Sequence, residues 1–215
     1  PLNGGSHNSD YNLQDGWNGT FWGYTYSYIM PQVKRLEDST RIKHPFFYAI
    51  TKILKVELMH RVSDYYGPII YSNFGEMRSV YMPDTQQDVY HMFFDDLRES
   101  VEILEGYAGY VDGSSVFPRF DILMDGEITS WIKFANSLRM RLAVRIAMAD
   151  PEKARSEFLN AFEEEYGCFE DPFEIVKVST GDGYTNPLGE INRVWGEVYM
   201  NASMESILNG FDDPR

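Results

Sequence analysis

The stretch SWIKFANSLRMRLAVRI, residues 130–146, sets three arginines into a run of residues that otherwise suits the interior of a globular protein. On a helical wheel Trp131, Leu138 and Leu142 share one face, and Val144 and Met148 make the opposite face apolar as well. The stretch therefore predicts a helix that is buried on most of its sides.

The three arginines of this helix could either bind an anion or hold the fold together. Arg141 and Arg145 border the face that carries Phe134, whereas Arg139 lies on the opposite flank, so that no single surface collects all three. Because charges placed deep in a core are normally paired, we expect each guanidinium to lie along apolar neighbours and to form a buried ion pair with a carboxylate. We therefore assign a structural role to Arg139, Arg141 and Arg145.

Turn and cap residues mark further helices along the chain. Pro45 begins a helix that Gly67 ends, and Asp84 caps a second helix that ends near Gly106. Pro151 begins another helix directly after the arginine helix. The loops are too long for a simple bundle, so the chain is predicted to be mostly α, with tetratricopeptide-like helix pairs and long irregular loops.

The composition allows a sizeable core and disfavours several kinds of partner. Of 215 residues, 43% are hydrophobic, which is ample for one large domain or two small ones. The 33 acidic and 19 basic residues give a formal net charge of -14, so the chain would repel nucleic acid and anionic membrane surfaces. The single cysteine, Cys168, excludes an intrachain disulfide and a cysteine-rich zinc site.

The start of the chain carries no targeting signal. Residues 1–16 are rich in Gly, Asn, Ser and Asp, and we predict that they form a flexible N-terminal segment. They lack the basic and apolar regions of a signal peptide, and no segment reaches the roughly 18 apolar residues of a membrane span. The sequence is therefore compatible with a cytosolic protein or with one whose leader has been removed.

No metal, cofactor or catalytic site emerges from the titratable residues. Asp95 and Asp96 are adjacent and diverge on a helix, which indicates a solvated face and no acid–base pair. A glycosidase stays possible, because it can take its two carboxylates from distant segments. The four histidines stand singly, without the spacing of a zinc site: His7, His44, His60 and His91.

The first ordered segment carries aromatic rings on two sides of a predicted helix. Trp22 and Tyr26 point away from the stripe that we expect to face the core. That core stripe consists of Trp17, Phe21, Tyr24 and Tyr28.

Aromatic rings that point away from a core can stack against sugar rings. Trp22 and Tyr26 meet this description, and so do Trp195 and Tyr199 in the irregular stretch NRVWGEVYM, residues 192–200. These four residues are our predicted ligand-binding residues. The alternative, that each ring fills a gap between helices, stays open.

Four stretches carry a family resemblance. Residues 131–146 are similar, almost residue for residue, to a W-x-KFANSLRLRLAMR segment. Residues 50–75 resemble a long helix that closes in a TD-x-YGD-x-PYS turn, and residues 84–97 resemble a D-x-Q-x-x-IY-x-x-x-x-x-DL helix. Residues 207–215, ILNGFDDPR, resemble an L-x-G-x-x-DPR run. All four are motifs of the SusD/RagB family of outer-membrane nutrient-binding lipoproteins.

The resemblance implies a fold, a cellular location and a partner. The fold is a SusD-like α superhelical domain, of which residues 1–215 would be a single, partial copy. The location is the surface of the outer membrane of a Gram-negative, Bacteroidetes-like cell. An N-terminal lipid anchor, absent from this sequence, would provide the only membrane attachment. The partner is a SusC-like TonB-dependent transporter. Members bind glycans or other nutrients and are not enzymes.

The sequence therefore predicts a protein that binds oligosaccharide and delivers it to its transporter, without a cofactor. Two other functions stay open. A helical scaffold would dock a protein partner and bind no sugar, and an all-α glycoside hydrolase would release products from a polysaccharide.

Overall fold

The structure, a computed structural model, forms two compact units. The larger unit is Gln14–Lys177, and the smaller unit combines Pro1–Leu13 with Val178–Arg215. Of the predicted flexible segment 1–16, residues 1–14 lie outside the described residues, and Asp15 and Gly16 begin the first helix. The structure describes residues 15–77, 79–109, 117–171, 173–174, 176–178, 185–195 and 200–213.

Helices dominate both units. The larger unit contains α1 (Asp15–Asn18), α2 (Thr20–Tyr24), a π turn (Thr25–Ile29), α3 (Met30–Thr40), α4 (Pro45–Tyr66), α5 (Gln86–Glu105), a 3-10 turn (Phe117–Arg119), α6 (Ile128–Ile146) and α7 (Pro151–Phe162). The smaller unit contains α8 (Pro187–Glu190), a π turn (Ile191–Trp195) and α9 (Ala202–Gly210). Within the described ranges no strand forms, and Ile69 and Asp84 make an isolated β-bridge.

Neighbouring helices of the larger unit pack as antiparallel pairs. Lys52, early in α4, pairs with Glu99, late in α5, whereas Tyr90, early in α5, donates a hydrogen bond to Asp64 near the end of α4 at 2.6 Å. Helix α6 packs against both α5 and α7, and α3 packs against α4. The prediction of a mostly α fold made of helix pairs is confirmed.

The core of the larger unit lies where α4, α5 and α6 meet. Ile53, Phe93 and Leu97 are fully buried there, and Trp131 and Ile132 of α6 are at most 2% exposed. Burial of such side chains stabilises the fold by roughly 1.5–3 kcal/mol each. Helix α6, which carries the three arginines, is therefore a central part of the core.

The exposed end of α6 corrects the expectation that this helix is buried on most sides. Val144 is 63% exposed and Met148, just past the end of the helix, is 98% exposed. The faces that carry Leu138 and Leu142 pack against the neighbouring helices α5 and α7. Among the described residues, no element covers the side of Val144.

The cap of α5 differs from the prediction by one residue. Thr85 is the N-cap, and its hydroxyl accepts a hydrogen bond from the backbone N–H of Asp88 at 3.2 Å. The predicted cap, Asp84, instead accepts hydrogen bonds from the backbone N–H groups of Tyr71 and Ser72, each at 2.9 Å. Asp84 therefore closes the loop between α4 and α5.

Candidate functional site

Trp22, a predicted ligand-binding residue, lies on the packed side of the first helical segment. Its side chain is half-buried, and its ring centroid lies 4.5 Å from that of Tyr26 and 5.3 Å from that of Tyr66. Its backbone N–H donates a hydrogen bond to the Tyr66 hydroxyl at 3.1 Å. Trp22 therefore joins this segment to the end of α4.

The hydroxyl of Tyr26 is occupied by hydrogen bonds of the fold. It donates to the carbonyl of Ile70 and accepts from the N–H of Ile70, both at 3.0 Å. Burial raises the pKa of Tyr26 above its ordinary value of 10.0, and the bond to Ile70 opposes this rise only in part. The prediction that Trp22 and Tyr26 point away from the packed face is wrong, and a role of either residue in ligand binding stays a prediction.

The packed side of this first helical segment is the side on which apolar residues continue into α3. The packed side runs on from Tyr26 to buried Met30 and Val33, whereas the side of Tyr28 runs on to exposed Gln32 and Arg35. Aromatic rings stand on both sides before residue 29, so periodicity there cannot choose between them. The residues after 29 are the sequence signal that identifies the packed side.

Trp17, Tyr24 and Tyr28 are exposed aromatic residues of the first helical segment, which we call the aromatic stripe. These side chains are 64%, 60% and 66% exposed, although the sequence predicted that they face the core. The rings of Tyr24 and Tyr28 lie 5.2 Å apart with an interplanar angle of 35°. Neither hydroxyl bonds to any residue that the structure describes. Exposed rings clustered in this way are typical of an interaction surface.

The other two predicted ligand-binding residues belong to the smaller unit. Trp195 ends the π turn Ile191–Trp195, but its side chain lies outside the described part of the chain, and so does all of Tyr199. Their role in ligand binding stays a prediction.

The three arginines of α6 do not converge on one site. Arg139 is 2% exposed, and its Nε lies 2.7 Å from Oε2 of buried Glu157. Arg145 is exposed, with its Nε 3.3 Å from Oδ2 of Asp64. Arg141 is exposed and pairs with no carboxylate that the structure describes. The expected buried ion pair thus forms at Arg139. Arg145 forms an ion pair, but an exposed one, and the expectation is wrong for Arg141.

The described residues contain neither a cluster of metal ligands nor a helix that could span a membrane. No three His, Cys, Asp or Glu side chains in this part of the chain lie together as a metal site would require. None of the described helices combines the length and the apolar character needed to cross a membrane.

The helix pairs define the class of this protein: a mostly α-helical protein of the tetratricopeptide-like kind. A family model described as SusD-like, the Susd and RagB outer membrane lipoproteins, matches residues 1–215. The chain belongs to this family. A comparison with curated proteins gives no match.

Solved structures of SusD homologues are similar to the chain. One from Bacteroides vulgatus is 42% identical with a TM-score of 0.88, over 97% of this chain and 42% of the homologue. A chitin-binding SusD homologue from Flavobacterium johnsoniae is 37% identical with a TM-score of 0.92, over 99% and 44%. A SusD-like protein from Bacteroides thetaiotaomicron is 32% identical with a TM-score of 0.85, over 95% and 42%. The chain thus spans less than half the length of these relatives.

Proposed function

We propose that the protein binds oligosaccharide at the surface of the outer membrane, delivers it to a SusC-like TonB-dependent transporter, and is not an enzyme. The observation that carries the proposal is the aromatic stripe. The exposed rings of Tyr24 and Tyr28 offer apolar faces to the CH groups of a sugar, and their hydroxyls, which bond to none of the described residues, can meet its polar groups. The stripe is therefore the glycan platform of the larger unit.

Relatives support a glycan as the ligand. The Flavobacterium homologue, 37% identical to this chain, binds chitin by its description, and a second similar structure, 29% identical, is a chitin-binding protein. Chitin fragments are therefore the first ligands to test. Attachment through an N-terminal lipid is part of the same proposal, because the family consists of outer membrane lipoproteins.

A panel of chitin, starch, xylan and β-glucan oligosaccharides tests the proposal by calorimetric titration against the full-length protein. We expect one class of these oligosaccharides to bind without being hydrolysed, because the proposed function is binding and not catalysis. If no oligosaccharide of the panel binds, the proposal is contradicted. Release of hydrolysis products would favour the alternative of an all-α glycoside hydrolase.

Variants of the sequence-predicted residues belong in the same titrations. Trp195→Ala should weaken binding about three- to tenfold if its ring stacks on the sugar, the effect of one aromatic contact. Trp22→Ala should change affinity less, because its ring already packs against Tyr66. Unchanged affinity in both variants would reject Trp22 and Trp195 as parts of the platform.

A protein-interaction scaffold without sugar binding is the second candidate function, and an exposed groove favours it. The groove has a volume of about 280 Å³ and lies between α6 and α7, lined by Val144, Ala147, Phe158 and Leu159. An apolar groove of this kind is typical of helix docking. Co-purification of the transporter, together with no binding of any oligosaccharide in the panel, would support the scaffold function.

A further inference from the structure

A cleft of about 510 Å³ opens where the end of α4, the start of α5 and the end of α6 meet. This volume lies within the range of small-molecule sites. Its walls are made by side chains of all three helices, and none of them belongs to the aromatic stripe. The sequence did not predict this cleft, because its lining residues come from segments far apart in the chain.

One wall of the cleft is a charge-balanced group. Tyr90 donates a hydrogen bond to Oδ1 of Asp64 at 2.6 Å, and Nε of Arg145 lies 3.3 Å from Oδ2 of the same carboxylate. Burial and the neighbouring Asp64 raise the pKa of Tyr90 above 10.0, so the phenol stays neutral. Because Arg145 is already paired, this wall offers an anion no free positive charge.

The first turns of α5 add further polar groups to the cleft. Gln87 and His91 lie four residues apart on one helix face, and neither forms a hydrogen bond or an ion pair with any described residue. Gln86 donates its amide to the carbonyl of Ser63 at 2.9 Å, which leaves its own oxygen free to accept. These side chains supply both donors and acceptors.

The rest of the cleft lining comes from the end of α6 and the residues that follow it. Ile146 and Ala149 provide an apolar surface. Asp150 also lines the cleft, and its carboxylate accepts a hydrogen bond from the Lys153 N–H at 3.0 Å. The Asp150 carboxylate disfavours anions, and the apolar and polar groups of the cleft together match the CH faces and the hydroxyls of a sugar.

We propose that this cleft is a second glycan site, which holds a short neutral stretch of the oligosaccharide through Gln87 and His91. The inference rests on the proposed function and adds a site to it.

The test uses the full-length protein and the panel oligosaccharide that binds most tightly. We expect Gln87→Ala and His91→Ala each to weaken binding about fivefold, the worth of one net hydrogen bond. His44→Ala is the matched control: it removes an exposed histidine at the start of α4, the end opposite Asp64, and should leave affinity unchanged. In hydrogen–deuterium exchange, the glycan should protect residues 86–91 and 145–150.

The outcomes separate the cleft from the proposed function. If the wild type binds while both variants keep its affinity and no protection appears at residues 86–91, the cleft proposal is overturned and glycan binding stands. If no panel member binds the wild type, the proposed function fails and the cleft proposal fails with it.

Discussion

Replacement of Glu157 by leucine is expected to lower the free energy of unfolding by about 3–5 kcal/mol, the range for a buried ion pair that loses one partner. The reason is that the guanidinium of Arg139, with a side chain only 2% exposed, would keep a single carboxylate, Glu164, at 3.6 Å. Arg139→Met should cost less, because Glu157 keeps Lys153 as a partner at 2.8 Å. Urea denaturation followed by circular dichroism measures both changes.

The double variant Arg139→Met/Glu157→Leu is the decisive control. It removes both charges, so it should be more stable than Glu157→Leu alone. Arg61→Ala breaks an exposed ion pair with Glu57 and should change stability by less than about 1 kcal/mol. A Glu157→Leu protein as stable as the wild type would show that the pair contributes nothing to the fold.

The same pair makes stability depend on pH. Burial by itself would raise the pKa of Glu157, but hydrogen bonds from Lys153 and Arg139 outweigh it and hold the pKa below the ordinary value of 4.5. Because the folded pKa is lowered, the carboxylate stabilises the fold fully above about pH 4.5, and this contribution disappears as the pH falls through the folded pKa. The difference between wild type and Glu157→Leu should therefore shrink below that pH.

Asp121→Ala is expected to lower the free energy of unfolding by about 3–5 kcal/mol, since hydrogen bonds to a charged group contribute about 1.5–3 kcal/mol each. The carboxylate is 6% exposed. It accepts hydrogen bonds from the N–H groups of Leu123, Met124 and Gly126 at 3.0–3.1 Å and from Nε1 of Trp131 at 2.7 Å. Its loss leaves these donors unpaired at the start of α6.

The loop that Asp121 closes requires a glycine at position 126. Gly126 has a φ of 83°, and a Cβ at this position would lie 2.7 Å from Cγ of Pro118. Asp121→Asn keeps one acceptor oxygen and should be intermediate in stability. Urea denaturation followed by circular dichroism checks the series. A loss below about 0.5 kcal/mol in Asp121→Ala, the size of an ordinary surface substitution, would refute this account of the loop.

The sequence predicts most of the helices because local signals agree there. Pro45 and Gly67 bound α4 as expected, and Pro151 begins α7. The motif in residues 131–146 is also the part of the sequence that resembles the family most specifically. The prediction of helix pairs follows from these segments.

Packing partners could not be predicted in the same way. Aromatic rings lie on both sides of the first helical segment, so these rings alone do not identify its packed face. The apolar residues after position 29 do identify it, but its partners Tyr66 and Ile70, 44 residues away, could not be predicted. Arg139 and Arg145 look alike in sequence, but the buried carboxylate of Glu157 stands next to the first alone. The cleft near Asp64 likewise forms only when three helices meet.

The central claim is that the aromatic stripe binds oligosaccharide, and one calorimetric titration tests it most directly. The tightest-binding panel oligosaccharide is titrated into the full-length wild type and into the Tyr24→Ala/Tyr28→Ala variant, with Tyr65→Ala as a control because Tyr65 is a similarly exposed ring on α4. We expect the double variant to bind about tenfold more weakly or worse, from the loss of two aromatic contacts, and the control to bind as the wild type does. Equal affinities for the wild type and the double variant would contradict the claim.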